Sequence, residues 1–596
     1  MSNIWGIAAP NVDESLIHVF DKMTKVMPFS VKNVVNVKKN KNIIFGHCTS
    51  GTFHRTGFED NEKNSDLFAV AGVPIWEGSD AGISEYNKSF NDIDYDSNLV
   101  KLKIKQNRLC DVGGVYSFVW WKASSIELLL GTDRLGFKSI YYLHDPIDNV
   151  IYFASRLCGL VDTLSIGCDY NWSAISEFLK FGHSLGNKTF YSKINLVPPG
   201  TILKFSKKGI DFEKYWDVGQ IKIDQNLSYQ DSVELNAEAF KKSIKRRVSR
   251  CEDVNTLALL SGGADSRRIA GELHQQHVEF DTFTTRGFCA EDSEAPVAAQ
   301  VAKALGVTNT FIELPFDGFI KNYWSRANRL NDFECCLHQW LLPLAEHLPE
   351  KSCVNYDGIA GDMLLEGVFR SSGFADVVKF NEINSSDIYT KSQKISGVQP
   401  NYNFFNETVK KKLSASPLEE SVLNSLKEYE HSDNQLTLFF LMNRTRRAIA
   451  LAPGRILQSK IESMYPFLDY DFLRSSLSVP YEHRLTHTLR RDIVKFSYPV
   501  LSEIPYTQYK SQVPGYTKNL RKVYKREKSS QLRTNILKYF IKKNLVLDPN
   551  IVGPSLFARF LLTYFGICRV PFELGLTFQV FYEWLNEYDI KISDLQ

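Results

Sequence analysis

An apolar run, Leu259-Leu260, breaks abruptly into Ser261-Gly262-Gly263-Ala264-Asp265-Ser266, and a helical pattern follows from about Arg267. A strand that turns on glycines straight into a helix presents free backbone N–H groups, and the positive end of the helix dipole, to whatever lies at the turn. Gly262 and Gly263 let that backbone approach an anion closely, and Ser261 and Ser266 add hydroxyl donors. Phosphate is the ligand such a turn fits. The string is not a Walker loop, because no Gly-Lys-Ser/Thr follows to bring a lysine to the β- and γ-phosphates. Asp265 stands where a carboxylate would hold Mg²⁺ against pyrophosphate, the arrangement suited to splitting ATP into AMP and pyrophosphate.

The complete Ser-Gly-Gly-x-Asp-Ser string resembles the pyrophosphate loop of the ATP pyrophosphatase superfamily. Segments far from it point to one branch. Gly131 to Tyr142 (GTDRLGFKSIYY), Phe153-Ala154-Ser155, Val197-Pro198-Pro199-Gly200 and Tyr215-Trp216-Asp217 follow in an order similar to that of the asparagine synthetase N-terminal domain. Asp357-Gly358-Ile359-Ala360-Gly361-Asp362 looks like that family's second metal motif, and Pro466-Phe467-Leu468-Asp469 like its C-terminal signature. The resemblance runs from residue 1 to about 525.

The 596 residues exceed what one ordinary core organises. Apolar residues at 43%, charged residues at 23% and a net charge of +3 are those of a globular protein with no field to steer nucleic acid, so no nucleic-acid partner is implied. The ten cysteines contain no Cys-x-x-Cys pair, which disfavours structural zinc and redox dithiols and fits a reducing cytoplasm. The N-terminus does not read as a secretory signal, and the apolar stretch from Leu556 to Phe572 is broken by Arg559 and Arg569, so it reads as a buried helix and no membrane partner is expected.

Residues 1–217 alternate in short strand-like runs such as Gly114 to Trp120 and Ile126 to Leu130. They predict an α+β, layered β-rich sandwich, N-terminal-nucleophile-like by the resemblance. Val218 to Ser232 lacks an apolar face and reads as a linker. From Val233 the pattern becomes a basic helix ending near Arg250, a strand Thr256 to Leu260, a helix Arg267 to His277, a strand Phe280 to Thr285 and a helix Glu294 to Leu305. That alternation predicts an α/β doubly wound parallel sheet with additional helices, its ligand site at the carboxyl ends of the strands. The resemblance sets this unit at 233–525, and 526–596 is expected as a helical extension packed on it.

Glutamine-hydrolysing members of the family carry a cysteine behind the initiator methionine, its own α-amine acting as base. Aligning Gly6-Ile7 with the family's Cys-Gly-Ile puts Trp5 at the nucleophile position. Gly46-His47-Cys48-Thr49-Ser50 replaces the family's Gly-His-Arg-Arg-Leu, and Ala71-Gly72-Val73-Pro74-Ile75-Trp76 replaces its Asn-Gly-Glu-Ile-Tyr-Asn. The resemblance therefore implies a degenerate glutaminase domain kept as a structural cover; the rival reading makes Ser2, exposed by methionine removal, the nucleophile.

For the synthetase half the resemblance implies ATP held by Leu259, Leu260, Ser261, Gly262, Gly263, Asp265, Ser266, Thr284 and Gly358, with Phe283 to Thr285 against adenine, and Mg²⁺ held by Asp265 and Asp362. It also implies a catalytic Lys510, although the Arg-Pro pair that precedes that lysine in relatives is absent. Arg267 and Arg268 are read either as phosphate contacts or as a solvated face, Asp292 and Glu294 as a family acidic pair or a helix cap, and His338 with Trp340 as core rather than pocket lining. Ile359 replaces the family glutamate that serves amidation, and Met464 an arginine, so aspartate as acceptor is not implied. The expected activity is ATP-dependent adenylation of a small-molecule or peptide carboxylate, then amide formation with ammonia or an amine. An intramolecular cyclase of the β-lactam synthetase or lasso-peptide cyclase kind and an inert scaffold are the alternatives, and a homodimer is compatible with the sequence.

Overall fold

The computed structural model describes residues 2–28, 34–49, 58–61, 66–77, 95–164, 169–251, 254–287, 294–314, 320–335, 337–349, 353–367, 407–415, 418–457, 461–506, 580–581 and 583–584. The N-terminal strands are β1 (Asn3–Ala8), β2 (Val34–Lys39), β3 (Ile43–Thr49), β4 (Phe58–Asn61), β5 (Asp66–Trp76), β6 (Val112–Lys122), β7 (Glu127–Thr132), β8 (Tyr141–Asp145), β9 (Val150–Ala154), β10 (Ile194–Leu196), β11 (Thr201–Ser206) and β12 (Gly209–Lys214). They form two six-stranded antiparallel sheets, ordered β10-β8-β9-β1-β3-β2 and β12-β11-β7-β6-β5-β4.

Period-two alternation explains the layering. On β1, Ile4 and Ala8 enter the core between the sheets with Leu67, Val119, Leu130 and Phe205. Trp5 and Ile7 point the other way, onto helix α1 (Glu14–Val26), where Phe20 and Met23 meet them. On the second sheet Phe68, Phe118 and Trp120 turn outward against Tyr95, Leu99 and Val100 of helix α2 (Tyr95–Lys105). Helix α3 (Trp172–Phe181) joins α1 on the first sheet through Ile175 and Phe178. Helix, sheet, sheet and helix thus stack as the β-rich sandwich expected.

The second half is built on β13 (Asn255–Leu259), β14 (Phe280–Gly287), β15 (Asn309–Leu314), β16 (Cys353–Tyr356) and β17 (Glu462–Met464), all parallel, in the order β15-β14-β13-β16-β17. The chain leaves β13 toward one edge and returns to β16 on its other side. That reversal makes the carboxyl ends of β13 and β16 the switch point, the place at which doubly wound sheets bind ligands.

Two boundaries move. Helix α4 spans Tyr229–Ser249, starting ahead of Val233 because Ser228 and Asp231 close a reciprocal capping box. The stretch 218–232, read as lacking an apolar face, buries Val218 and Ile221 in the second core. Helix α5 (Ala264–Gln275) begins three residues before Arg267, with Gly263 as its cap, so Asp265 lies in the first turn where the helix dipole favours an acid. Of the C-terminal extension, Trp584 packs among Tyr170, Phe190 and Tyr191 of the N-terminal half, its Nε1 donating to Tyr191 at 2.9 Å. Glu583 accepts from Ser325 and Asn328, so among the described residues of this segment Glu583 and Trp584 touch both halves.

Candidate functional site

Parallel pairing carries Leu259 and Tyr356 to the same end of the sheet, and the two turns that follow them meet. The first turn is held from below: Leu260 N–H donates to Phe283 O at 2.9 Å, and Thr284 Oγ1 donates to Leu260 O at 2.8 Å and to Asn309 Oδ1 at 3.1 Å. Thr284 is buried, so its hydroxyl braces the loop from beneath. Within the loop Ser266 Oγ accepts from Ser261 N–H at 3.2 Å and lies 3.0 Å from Ser261 Oγ, which accepts from Gly263 N–H at 3.2 Å. Gly263 has an extended backbone, φ −80° and ψ 170°, open to any residue. A Cβ there would meet only Ser261 Oγ at 3.3 Å, so this glycine matters for leaving the approach to the amides open.

The second turn crosses directly over Asp265. An ideal Cβ on Gly361 would lie 2.7 Å from Asp265 Cγ, and one on Gly358 3.3 Å from Asp265 Cβ. Ala360 takes φ +74°, a left-handed conformation, to bring Asp362 round. Asp357 anchors the turn, its N–H donating to Met464 O at 2.9 Å and its Oδ1 accepting from Ile359 N–H at 3.0 Å; burial pushes its pKa up to about 6.

Asp265 and Asp362, far apart in sequence, converge on one guanidinium. Arg490 Nη2 donates to Asp265 Oδ2 at 2.9 Å and Nη1 to Asp362 Oδ1 at 2.6 Å. Arg490 lies in the first turn of the helix Leu489–Ser497, and its backbone N–H donates to the buried Glu366 at 3.0 Å. The pair is graded in access: the side chains of Arg490 and Asp265 are 3% and 18% exposed, that of Asp362 48%. Burial and the neighbouring Asp362 raise the Asp265 pKa against the pull of Arg490. Arg444, half-buried, lies within electrostatic reach of Asp362 and makes no hydrogen bond or ion pair among the described residues; burial lowers its pKa. His183 and His338 face the same arginine, and burial lowers them to about 3 and about 4.

Among the described residues no group of three or more His, Cys, Asp or Glu could enclose a metal. Two carboxylates within reach of a single cation, one of them open to solvent, suit Mg²⁺, which takes one or two protein carboxylates and completes its shell with phosphate and water. The loop amides and both aspartates are the groups that could hold ATP and its ion. Leu259 ends β13, Leu260 to Ser266 form the turn after it and the first turn of α5, and Gly358 to Asp362 form the turn after β16, packed on Asp265.

The structure does not bring every expected residue there. Arg267 is buried and donates to the carbonyls of Leu501, Ile504 and Pro505, with its guanidinium 3.9 Å from the Tyr506 ring. Arg268 is buried on Phe240, donating to Asn236. Neither reading of these arginines holds; both pin the helix to its neighbours. Glu294 opens helix α6 (Glu294–Leu305), while Asp292 and Lys510 lie outside the described residues. His338 stacks with Trp340, whose ring packs on the core. Arg490 and Arg444 were missed. For Arg490 the available signal was the Arg490-Arg491 pair opening a helical pattern, where the dipole disfavours cations unless an acid is present; Arg444, inside the helical run 435–449, carries no such signal.

Helix α7 (Tyr470–Leu477) follows Asp469, which is fully buried and caps it. Asp469 also accepts from Arg246 at 2.8 Å and Arg247 at 2.9 Å. Beside it Glu77 accepts from Arg134 at 2.5 Å, and a crevice of about 950 Å³ lies above them, lined by Lys214, Trp216, Lys245, Tyr470 and Arg474. None of the loop residues borders it. In the N-terminal half Trp5 is wholly buried, donating to Thr24 Oγ1 at 3.0 Å and filling the space above Gly46. That is a core position, and the hydroxyl that reaches the Gly72 amide, at 2.6 Å, belongs to Ser2. Cys48 and Ala71 are buried with no exposed surface.

Comparison with known proteins agrees with this layout. A glutamine amidotransferase domain profile matches residues 102–216, and an asparagine synthase profile matches 236–498. Asparagine synthetase [glutamine-hydrolyzing] 3 of Bacillus subtilis (strain 168) is 22% identical over 523 residues, 81% of this chain and 80% of its own. Asparagine synthetase [glutamine-hydrolyzing] 1 of the same organism is 26% identical over 207 residues, 34% of this chain and 32% of its own. Among solved structures, the glutamine phosphoribosylpyrophosphate amidotransferase from B. subtilis, complexed with ADP and GMP, covers 54% of this chain and 92% of its own at 11% identity and a TM-score of 0.26, too weak a likeness to place any residue. With matches to both halves in the order the motifs follow, the chain belongs to the asparagine synthetase family.

Proposed function

We propose that this chain is an ATP-dependent carbon–nitrogen ligase. A carboxylate oxygen of the substrate attacks the α-phosphorus of ATP, the bond to the β-phosphate breaks, and pyrophosphate leaves; ammonia or an amine then attacks the acyl carbon and AMP departs. The observation that carries the reading is the convergence of Asp265 and Asp362 beside the Ser261–Gly263 amides at the switch point. Mg²⁺ held there would neutralise charge gathering on the departing pyrophosphate. The loop amides would orient the phosphates, and Lys510, by the family resemblance, would steady charge in the second half-reaction.

Ile359 cannot move a proton, and it lies where the family glutamate would, which favours an acceptor other than aspartate. The amidotransferase-like half acts as a cover: Ser2 offers no thiol, and Cys48 and Ala71 stand in place of the glutamine-binding arginine and asparagine. Pyrophosphate exchange into ATP, screened over amino acids, small acids and peptides, tests the first half-reaction. No acid-dependent exchange anywhere in the panel would sink the ligase reading, and product mass separates cyclisation from intermolecular amidation. Glutamate release from glutamine that disappears in Ser2→Ala would overturn the cover reading. Work inside the cytoplasm and assembly as a homodimer belong to the same proposal; among the described residues no helix is long and apolar enough to cross a membrane.

A further inference from the structure

We propose that the crevice above Glu77 and Arg134 is a second ligand site, taking a phosphate monoester that carries a planar ring and binds without a metal. Its volume of about 950 Å³ is that of a small-molecule pocket, and none of the loop residues borders it, so the inference stands apart from the ligase reading.

The floor is rigid. Arg134, its side chain 5% exposed, donates through Nη1 to Glu77 Oε2 at 2.5 Å and through Nε to Cys110 O at 2.8 Å. Its guanidinium lies 5.0 Å from the Tyr470 ring and 5.8 Å from that of Trp216. These two rings, one from each half of the chain, stand at 77° with centroids 6.5 Å apart, and both are only half-buried. A planar group reaching the floor meets aromatic surface that is already in place.

Charge above the floor is unbalanced. Each carboxylate lining the crevice already has its cation: Glu77 has Arg134, Asp111 has Arg108 at 2.7 Å, Asp217 has Lys214 at 2.7 Å, and Asp471 has Arg246 at 2.5 Å. Helix α4 adds Lys242 and Lys245 at i, i+3 spacing, and α7 adds Arg474 one turn after Tyr470. The side chains of Lys245 and Arg474 make no hydrogen bond or ion pair among the described residues, and Lys242 has only Glu238, 3.9 Å away with both side chains 55% exposed. A phosphate monoester brings close to two negative charges and three acceptor oxygens at neutral pH, which an arginine fork and two ammonium groups match. No carboxylate is left over to hold a divalent ion, so the compound binds as the free anion.

The test uses the full chain in EDTA with pyridoxal 5′-phosphate as probe, a ring, a phosphate and a lysine-reactive aldehyde in one molecule. Borohydride fixes the imine, and mass spectrometry of the digest locates it; pyridoxal, which lacks the phosphate, is the control. The ratio of the two labelling rates should be at least about tenfold higher at Lys242 or Lys245 than at the exposed Lys25 and Lys207, the scale of one charged hydrogen bond. Arg474→Gln, a change at an exposed side chain, should lower that ratio about fivefold or more, and Trp216→Leu about threefold or more. Inorganic phosphate should protect both lysines. Equal ratios at all four lysines, or an unchanged ratio in Arg474→Gln, overturns the site. An unchanged ratio in Trp216→Leu overturns the ring, and protection by hexaglutamate but not by phosphate makes the crevice a seat for an acidic peptide instead.

Discussion

Asp265 and Asp362 make unequal demands on the residues around them, because one is buried and the other is nearly half open. Asp362→Asn should leave the fold intact and reduce acid-dependent ATP–pyrophosphate exchange by about a hundredfold or more, the scale of one preorganised electrostatic contact. Asp265→Asn should lose exchange as well and also destabilise the chain by about 1–3 kcal/mol, since it leaves a buried arginine half-neutralised. Urea unfolding of the two variants beside the exchange assay checks the contrast; equal stabilities would contradict it. Gly361 supplies a steric test of the same point. A methyl group there would fall 2.7 Å from Asp265 Cγ, so Gly361→Ala has to push the carboxylate off its partner. Exchange should drop at least about tenfold, following the cost of a small misplacement at a reacting centre, with far-ultraviolet circular dichroism unchanged.

Between elements, the Pro466-Phe467-Leu468-Asp469 signature does its work through Asp469, which caps α7 and holds α4 through Arg246 and Arg247. Those two arginines keep Asp469 charged, its pKa lowered in spite of burial. Glu77, from the other half of the chain, meets the same cluster: burial and then repulsion by Asp469 push its pKa up from 4.5 to about 7, against Arg134, Arg247 and Arg246. Between those two values the folded chain holds a proton there that the unfolded chain has released. The contribution of Glu77 to stability therefore falls as pH rises across that window and is level above it. Compared with wild type, Glu77→Gln should gain up to about 3 kcal/mol between pH 5 and pH 8, whatever the fixed cost of the changed hydrogen bonds. Urea titrations of both proteins at the two pH values measure this, and a pH-independent difference would show that Glu77 stays ionised.

Across the whole molecule the halves are joined by buried charge. Arg455 donates to Glu334 at 2.9 Å and to Tyr141 at 2.5 Å; Arg156 donates to Asp332 at 2.9 Å, and Arg447 to Glu334 at 3.0 Å and Lys188 O at 2.9 Å. Residues 141, 156 and 188 belong to the sandwich, the others to the second half. Such networks add little to stability when intact and cost a great deal when one member is removed. Arg455→Met should destabilise by about 3–5 kcal/mol and split the thermal transition into two, one for each half. Scanning calorimetry reads both effects, and a single transition at the wild-type temperature would mean that the halves are held by other contacts.

Local chemistry in the sequence determined a good deal by itself. The strand ending in glycines and the period-two runs gave both fold classes and the end of the sheet at which the loop lies, because each rests on residues within a turn or two of one another; the pairing of Asp265 with Asp362 came from the family resemblance alone. Tertiary structure decided what those residues face. Trp5 fell at a nucleophile position by alignment, yet strand alternation turns it onto α1 and leaves Ser2 beside Gly72. Arg267 and Arg268 lay beside the loop in sequence, but helical rotation points them at Leu501, Ile504 and Asn236. Arg490 sits 225 residues after Asp265 and 128 after Asp362, and only the switch-point topology and the Glu366 contact bring it between them. A sequence records which charges a chain carries; the partner each one finds depends on contacts between distant elements, which no local pattern encodes.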